Sequence, residues 1–159
     1  MLRFLGIVFL VLLVSLGMFF AWAFQQDKSA RSYVTHAVPA IFNDWNFDAL
    51  QNRASEQLSN DPQFRSNAPR MFLMLQRALG KLKQAQEPEG SSGYNVGNVS
   101  PAQGTYGDYL IRAEFERGEA ELRLLLVRER GVWRIRAFNV NSPVLARPLD
   151  SIQPTQQTI

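Results

Sequence analysis

The chain has 159 residues, of which 46% are hydrophobic and 19% are charged, and this length accommodates one domain of ordinary size. It contains no cysteine and a single histidine, His36, which excludes disulfides, thiol nucleophiles and metal sites built from several imidazoles. The net charge of +3 comes from basic residues spread along the chain, whereas a nucleic-acid partner would favour their concentration on one surface.

The N-terminal segment Phe4–Phe24 is apolar and carries no charge over its 21 residues. At about 1.5 Å per residue, a helix of this length crosses the roughly 30 Å hydrocarbon core of a bilayer. Its apolar residues fall on every side, which is typical of a helix surrounded by lipid. We therefore expect residues 1–24 to form a transmembrane anchor or a signal peptide, with residues 4–24 contacting the membrane.

Cleavage of this segment is the alternative to its retention. Ala21-Trp22-Ala23 has the small-x-small pattern of a signal-peptidase site, so cleavage near Ala23 would give a secreted or soluble periplasmic protein. The apolar stretch exceeds the usual signal core and only Arg3 precedes it, which favours an anchor. Long domains after such segments are generally exported. The sequence thus predicts a bacterial inner-membrane protein whose domain lies in the periplasm.

Three helices are predicted after the anchor. Ser29–Phe42 carries apolar residues at helical spacing, with Pro39 expected to kink or end the helix. Asn46 is a capping residue for a second helix through Leu58, which ends at the polar residues before Pro62. A third helix is expected to begin near Pro69, with an apolar face made of Phe72, Leu75, Leu79 and Leu82.

Strand patterns follow the loop composition of Glu87–Gly93. They are weak over Tyr94–Val99 and strong over Tyr106–Glu116, Glu119–Glu129 and Val132–Asn141. These runs predict an antiparallel sheet of about four strands.

Two tandem hairpins are expected, with turns at Arg117-Gly118 and Arg130-Gly131. Two-residue turns would pair Phe115 with Ala120, Ala113 with Leu122, Ile111 with Leu124, Tyr109 with Leu126, Leu126 with Ile135, and Leu124 with Ala137. Arginine fits a mirror-image turn poorly, so a longer loop is also compatible with the sequence. The apolar phase changes along the last strand, which indicates a bulge near Ala137 or apolar side chains on both faces.

The order of elements, three helices and then an antiparallel sheet, resembles nuclear-transport-factor-two-like and cystatin-like domains. The residues that carry the resemblance are Phe115–Ala120, Leu122, Leu124, Gly131–Ile135 and Phe138–Ser142. The pattern is similar to that of small exported bacterial domains, and it covers about residues 30–142. The resemblance implies that the helices cover the concave face of a curved sheet, forming a cone that can hold a ligand, while the outer face pairs with another protein.

The domain organisation that follows is an N-terminal transmembrane or signal helix over residues 1–24, a cystatin-like α+β domain over 25–142, and a flexible tail over 143–159. In the α+β domain, three helices pack on a curved antiparallel sheet of about four strands. The tail is rich in proline, glutamine and threonine, a composition typical of segments outside a packed core.

A catalytic site, a cofactor site and a metal site are not indicated. Asp108 is the nearest candidate for an isomerase-like base, but the strand phase directs it away from Tyr109 and the cone. His36 has no acidic partner at ligand spacing and reads as a helix-surface residue. Four aromatic residues, with Phe138 beside them, could line a pocket for an apolar ligand or simply pack in the core: Trp45, Phe72, Tyr109 and Trp133.

The outer face of the sheet is the predicted interface, because aliphatic residues alternate there with arginines. Its residues are Leu110, Arg112, Arg123, Leu125, Val127, Arg134 and Arg136, and Phe138 can join them. Diagonal ion pairs of Glu114 and Glu121 with Arg123 and Arg112 would instead make this face a solvated ladder. We expect a non-catalytic, membrane-tethered domain that acts through protein contacts, with a homodimer as one form. The alternative is an isomerase-like or apolar-ligand-binding domain that uses the cone.

Overall fold

The structure, a computed structural model, describes residues 2–95 and 104–146, and within them the side chains of 11–18, 25–95 and 104–146. Over this part of the chain the fold is α+β, with four helices and a five-stranded antiparallel sheet, which confirms the predicted class. The helices are α1 (Leu2–Phe42), α2 (Phe47–Gln51), α3 (Glu56–Asn60) and α4 (Pro62–Leu79). The strands are β1 (Leu82–Ala85), β2 (Glu89–Asn95), β3 (Gly104–Phe115), β4 (Gly118–Glu129) and β5 (Val132–Asn141).

Helix α1 is one continuous helix, so the predicted helix over Ser29–Phe42 is not a separate element. The residues between Phe24 and Pro39 include no glycine or proline, so nothing local interrupts the helix between the apolar segment and the domain. Pro39 lies inside the last turns, and the helix ends at Phe42. The backbone amide of Asn43 still donates to the Pro39 carbonyl, at 3.1 Å.

Among the residues that the structure describes, no helix is long and apolar enough to cross a membrane. The predicted membrane segment, Phe4–Phe24, lies largely outside the described side chains, since only those of residues 11–18 are included. Most of the predicted tail, from residue 147 onward, also lies outside the described residues.

The predicted second helix is interrupted and forms two short helices, α2 and α3. Asn46 caps α2 as expected, because its side-chain oxygen accepts from the Ala49 amide at 2.9 Å. The chain then joins the edge of the sheet, where the Ser55 amide donates to the Ile135 carbonyl at 2.8 Å. The Ser55 hydroxyl caps α3. This non-local pairing removes residues 53–55 from the helix that the local spacing predicts.

Helix α4 begins at Pro62 and not near Pro69. Asp61 caps it by accepting from the Gln63 amide at 2.8 Å, and Pro62 occupies the first turn, where a missing amide hydrogen costs nothing. Its buried face is Phe64, Ala68, Phe72, Leu75 and Leu79. The helix ends at Gly80, which has a positive φ of 76°, so Leu82 belongs to β1 and not to the helix.

The sheet has the order β1-β3-β4-β5, and β2 also pairs with β3. Glu87–Gly93, predicted to be a loop, contains the first residues of β2, which starts at Glu89. In this strand Gly90 lies opposite Tyr109 and Ser91 opposite Asp108. Of the weak strand predicted over Tyr94–Val99, Tyr94 and Asn95 belong to β2 and residues 96–99 lie outside the described part.

Both hairpins have two-residue turns. The first turn is Glu116-Arg117, so Phe115 pairs with Gly118 and every predicted β3–β4 pair is wrong by two residues. An even shift keeps the same side chains facing inward. The second turn is Arg130-Gly131, with φ values of 51° and 83°, so arginine does occupy the mirror-image turn that it fits poorly.

The predicted bulge in β5 is present. Leu126 pairs with Ile135 as expected, but Leu124 pairs with Phe138 and not with Ala137, because the register shifts between Leu125 and Leu126. The shift returns Phe138 and Val140 to the inner face, where both pack against the core. Phe138 is therefore not part of the outer face.

The helices cover one face of the sheet. The core contains the inward residues of β3, β4 and β5 together with the C-terminal part of α1 and the buried face of α4. Trp133 is 4% exposed and Ile135 is fully buried. The hydrophobic periods predict helices in the first part of the domain and strands in the second. The structure confirms this order for residues 25–95 and 104–146.

Candidate functional site

The predicted interface residues share the outer face of the sheet. Strand register places Leu110 and Arg112 on the side of β3 opposite to Tyr109 and Ile111. The same alternation holds along β4 and, on either side of the bulge at Arg136, along β5. The residues on this face are Leu110, Arg112, Arg123, Leu125, Val127, Arg134 and Arg136. Val127 is buried, whereas Leu110 and Leu125 are half-buried.

Ion pairs on this face differ from the predicted ones. Arg123 binds both carboxylate oxygens of Asp108, at 2.9 and 2.6 Å. This hydrogen bonding and the charge of Arg123 hold the pKa of Asp108 below its ordinary value, although partial burial acts in the opposite direction. Arg112 binds Glu89 at 2.8 Å, a partner that the unexpected strand β2 supplies.

Two glutamates were expected to form the diagonal pairs. Glu114 instead lies 3.5 Å from the Lys83 ammonium, and Glu121 forms no ion pair among the described residues. The prediction that Arg112 and Arg123 pair with these glutamates is therefore wrong. Asp108 lies on the face opposite to Tyr109, as the strand phase predicts, and outside the core.

Charges at the two ends of the outer face differ in sign. Glu119 and Glu121 lie near the β3–β4 turn, while Arg134 and Arg136 lie on the first half of β5. Arg134 donates to the Asn52 carbonyl at 2.6 Å, and none of these four side chains forms an ion pair within the described part of the chain. Leu110 and Leu125 lie between the two ends. The face thus combines an acidic end, an apolar centre and a basic end.

The four predicted pocket residues are buried but do not come together at one place. Trp45 and Phe72 belong to a ring cluster with Phe42 and Phe115, in which the Trp45 and Phe72 centroids are 5.7 Å apart. The Trp45 indole donates to the Gly80 carbonyl at 2.7 Å. Phe138 extends this cluster, with its ring 5.8 Å from that of Phe72. These contacts are those of core packing.

Tyr109 and Trp133 instead contact α1 near its exit from the domain. The Tyr109 hydroxyl donates to Oδ1 of Asp27 at 2.8 Å, and the Trp133 indole donates to the Ser29 hydroxyl at 3.2 Å. The Ser92 amide also donates to Asp27, at 2.9 Å. Burial, followed by the hydrogen bond and charge of Asp27, raises the pKa of Tyr109, so the phenol stays protonated as a donor.

Arg31 completes this cluster. Its guanidinium lies 3.6 Å from Asp27 and 5.7 Å from the Tyr109 ring centroid. The same side chain donates to the carbonyls of Pro88 and Gly90, the latter at 3.0 Å. The cluster therefore joins α1 to β2 and β3 through charged and polar groups.

A groove of about 460 Å³ separates α1 from the start of β5. It is lined by Ser29, Tyr33, His36, Arg53 and Trp133, among other residues. The buried Tyr33 hydroxyl has no hydrogen-bond partner within the described chain, and burial raises its pKa against the opposing charges of Arg53 and Arg134. His36 is exposed, with Nδ1 2.7 Å from the Ser32 carbonyl oxygen, as expected for a helix-surface histidine.

Metal-binding chemistry finds no support in the described side chains, because no group of three His, Asp or Glu residues among them could hold an ion.

Helix α4 presents an apolar patch that the sequence reasoning missed. Leu73 is 56% exposed and Met74 is 63% exposed, on the side away from Phe72 and Leu75. Arg70 and Arg77 flank the patch along the helix. The signal that could have found it is the presence of Met71, Leu73 and Met74 off the core-facing stripe.

Comparison of the chain with protein-family models, curated proteins and solved structures finds no match.

Proposed function

We propose that this chain is a non-catalytic domain tethered to the bacterial inner membrane by the first part of α1, with the domain in the periplasm. The observation that carries the proposal is the exposure of α1 over residues 11–18. Val11, Leu12, Leu13 and Val14 are each between 52% and 62% exposed. Because four consecutive residues point about 100° apart around a helix, no side of this segment is covered. Apolar side chains exposed all round a helix require an apolar solvent.

The polar group within this segment fits the same environment. The Ser15 hydroxyl donates to the Val11 carbonyl at 2.8 Å, one turn earlier in the helix. A hydroxyl that is satisfied by its own helix does not need water. Residues 11–18 can therefore lie in lipid without an unpaired donor.

The rest of α1 belongs to the core of the domain. Val34, Ile41 and Phe42 are fully buried, and Ala30 is the first buried residue among the side chains of this helix that the structure describes. The tether and the domain thus share one helix, with no linker between them. Helix α1 runs through the Ala21–Ala23 pattern without a break, and this continuity supports a retained anchor over release near Ala23.

Flotation with vesicles and intact-mass measurement test the tether. The full chain should float with phospholipid vesicles and retain its N-terminus, whereas loss of 23 residues would show cleavage near Ala23. Leu13→Arg places a charge in the apolar segment and should reduce flotation, while Leu73→Arg on α4 should not. Flotation that is equal for both variants would contradict the proposal.

The periplasmic location has its own test. The chain has no cysteine, so a single exposed one at Met74 reports on one side of the membrane only. An impermeant maleimide should label Met74→Cys in intact spheroplasts. Labelling only after lysis would place the domain in the cytoplasm and would contradict the export that we propose.

We further propose that the partner of the outer face is a second copy of this chain. A twofold axis through the Leu110 and Leu125 region would place the acidic end of one copy, Glu119 and Glu121, against the basic end of the other, Arg134 and Arg136. This self-complementary charge pattern supports a homodimer. The non-catalytic role is supported by the ion pair that holds Asp108 and by the exposed position of His36.

Light scattering of the full chain in detergent tests the dimer. Leu125→Glu should give a monomer, and Leu73→Glu on α4 should leave the dimer intact. Charge reversal at either end, Glu121→Arg or Arg136→Glu, should weaken the dimer, and the double variant should restore it. A wild-type chain that is monomeric at high concentration would contradict this part of the proposal.

The nuclear-transport-factor-two-like or cystatin-like assignment remains part of this proposal. It is supported by the order of elements, in which helices come first and antiparallel strands follow, and by the packing of those helices on one face of the sheet.

A further inference from the structure

Strand β2 lies beside α1 and runs toward the apolar segment. Arg31 donates to the Gly90 carbonyl, and Asp27 accepts from the Ser92 amide. Four residues of a helix advance about 6 Å and two residues of a strand about 6.6 Å, so the strand runs nearly along the helix axis in the opposite direction. Continuing two residues further brings Tyr94 to about the level of residue 23.

The β4–β5 turn reaches the same level on another side of α1. Trp133 bonds to Ser29, and Arg128, its partner on β4, donates to the Gln26 side chain. The guanidinium of Arg128 also lies 5.8 Å from the Trp133 ring centroid. The Gly131 carbonyl accepts from Arg128 at 3.1 Å, and Gly131 and Val132 line the groove beside Ser29, so this turn lies at the level of Gln26 and Ser29.

The side chains at this end of the domain suit the headgroup region of a membrane. Tyr94 is 63% exposed, Val132 is 52% exposed and the Arg130 side chain is 86% exposed. We call Lys28, Arg31, Tyr94, Arg128, Arg130 and Val132 the rim. Aromatic and basic residues are typical of positions where a protein meets lipid headgroups.

The acidic groups near the rim are held by protein donors. Asp27 accepts from Tyr109 and Ser92 and lies beside Arg31. The Glu129 carboxylate accepts from the Glu56 amide, at 3.1 and 3.2 Å, and the Glu56 carboxylate binds Arg130 at 2.6 Å. The four basic residues of the rim exceed these three acidic residues by one charge.

We propose that the rim rests on the phospholipid headgroups of the same bilayer that holds α1, so that the domain is docked on the membrane surface. This inference rests on the tether proposed above, which sets the level of residue 24 at the edge of the hydrocarbon. The occupant is the headgroup layer, with anionic lipids favoured by the excess of basic over acidic residues at the rim.

Fluorescence quenching in vesicles tests the docking. Three single-cysteine variants, Tyr94→Cys, Val132→Cys and Met74→Cys, are labelled with an environment-sensitive dye in the full chain. Met74 serves as the control because α4 packs against Phe42, at the far end of α1. Lipids spin-labelled on the headgroup should quench the dye at the two rim positions and leave the dye at Met74 bright.

Equal quenching at all three positions, in a chain that still floats, would overturn the docking and leave the tether intact. Failure of the chain to float would overturn both. A second arm uses Arg130→Asn, since asparagine tolerates the positive φ of this turn. On vesicles that contain phosphatidylglycerol it should lower quenching at Val132→Cys, with up to about a fivefold loss of the docked population, whereas Arg77→Gln on α4 should not. Equal effects of the two variants would contradict the role of anionic lipid.

Discussion

Two buried phenols, Tyr33 and Tyr109, differ in what their hydroxyls contact. The Tyr109 hydroxyl donates to Asp27, whereas the Tyr33 hydroxyl has no partner among the described residues. A buried hydroxyl without a hydrogen bond costs about 1–3 kcal/mol, and a hydrogen bond to a charged group contributes about 1.5–3 kcal/mol. The same chemical change should therefore have opposite effects at the two positions.

We expect Tyr109→Phe to lower the free energy of unfolding by about 1.5–3 kcal/mol and Tyr33→Phe to leave it unchanged or raise it. Chemical denaturation followed by circular dichroism measures both values. Tyr106→Phe, which removes a phenol hydroxyl from the outer face, is the control for the loss of a hydroxyl group outside the core. Equal destabilisation by Tyr33→Phe and Tyr109→Phe would show that Tyr33 has a hydrogen-bond partner.

Asp108 makes stability depend on pH through Arg123. The pKa of this carboxyl is lowered in the folded state, so its contribution is present above the ordinary aspartate pKa and is lost as the pH falls through the lowered value. The difference in unfolding free energy between wild type and Asp108→Asn should be constant near neutral pH and shrink below about pH 4. Urea titrations across this range measure it. A difference that persists at low pH would argue against the ion pair.

At the scale of elements, the strands that show a local hydrophobic period were predicted from the sequence. The elements that form only through contacts with distant residues were missed. The alternation along β3 and β4 is strong because one face is buried, and that period is visible in single residues such as Tyr109 and Ile111. Strand β2 was missed because glycine and serine signal a loop, and only pairing with β3 makes it a strand. The Asp27–Tyr109 bond, at the candidate site, joins residues 82 positions apart, which no local spacing indicates.

The glycines of β2 allow a sharp test of this pairing. A Cβ on Gly90, whose φ is 144°, would collide with the backbone carbonyl of Asp108, whereas a Cβ on Gly93 would meet only the Tyr106 side chain, at 3.1 Å or more. We expect Gly90→Ala to destabilise the domain severely and to lower protection of the β2 amides, and Gly93→Ala to have a mild effect. Hydrogen exchange measures the protection. Similar effects of both substitutions would contradict the register of Gly90 opposite Tyr109.

At the scale of the whole molecule, the folding core and the apolar segment occupy different parts of one helix. Among the described side chains of α1, burial begins at Ala30. Asp27, which accepts from Tyr109, lies one turn before it. Residues 11–18, the part of the apolar segment whose side chains are described, add no buried residue to the core. Folding should therefore be separable from membrane association.

We expect a chain of residues 25–159 to unfold cooperatively, with a melting temperature close to that of the full chain, and to lose flotation with vesicles. Thermal melts by circular dichroism and vesicle flotation measure the two properties. A chain of residues 34–159 is the matched control, because it lacks Asp27 and Ala30 and should unfold at a lower temperature. Loss of folded structure in the 25–159 chain would show that the apolar segment is part of the fold.

For the membrane tether that we propose, the continuity of α1 fixes the rotational orientation of the domain about the membrane normal. Each residue of a helix turns it by about 100°, so a single alanine inserted between Phe24 and Gln25 would rotate the domain by that angle while raising it only about 1.5 Å. Insertion of seven alanines rotates the domain by nearly two full turns and therefore almost restores its original orientation. The activity of the protein in cells can be compared across these insertions. Activity that falls with one inserted alanine and returns with seven would mean that the domain must present one particular side to its neighbours in the plane of the bilayer.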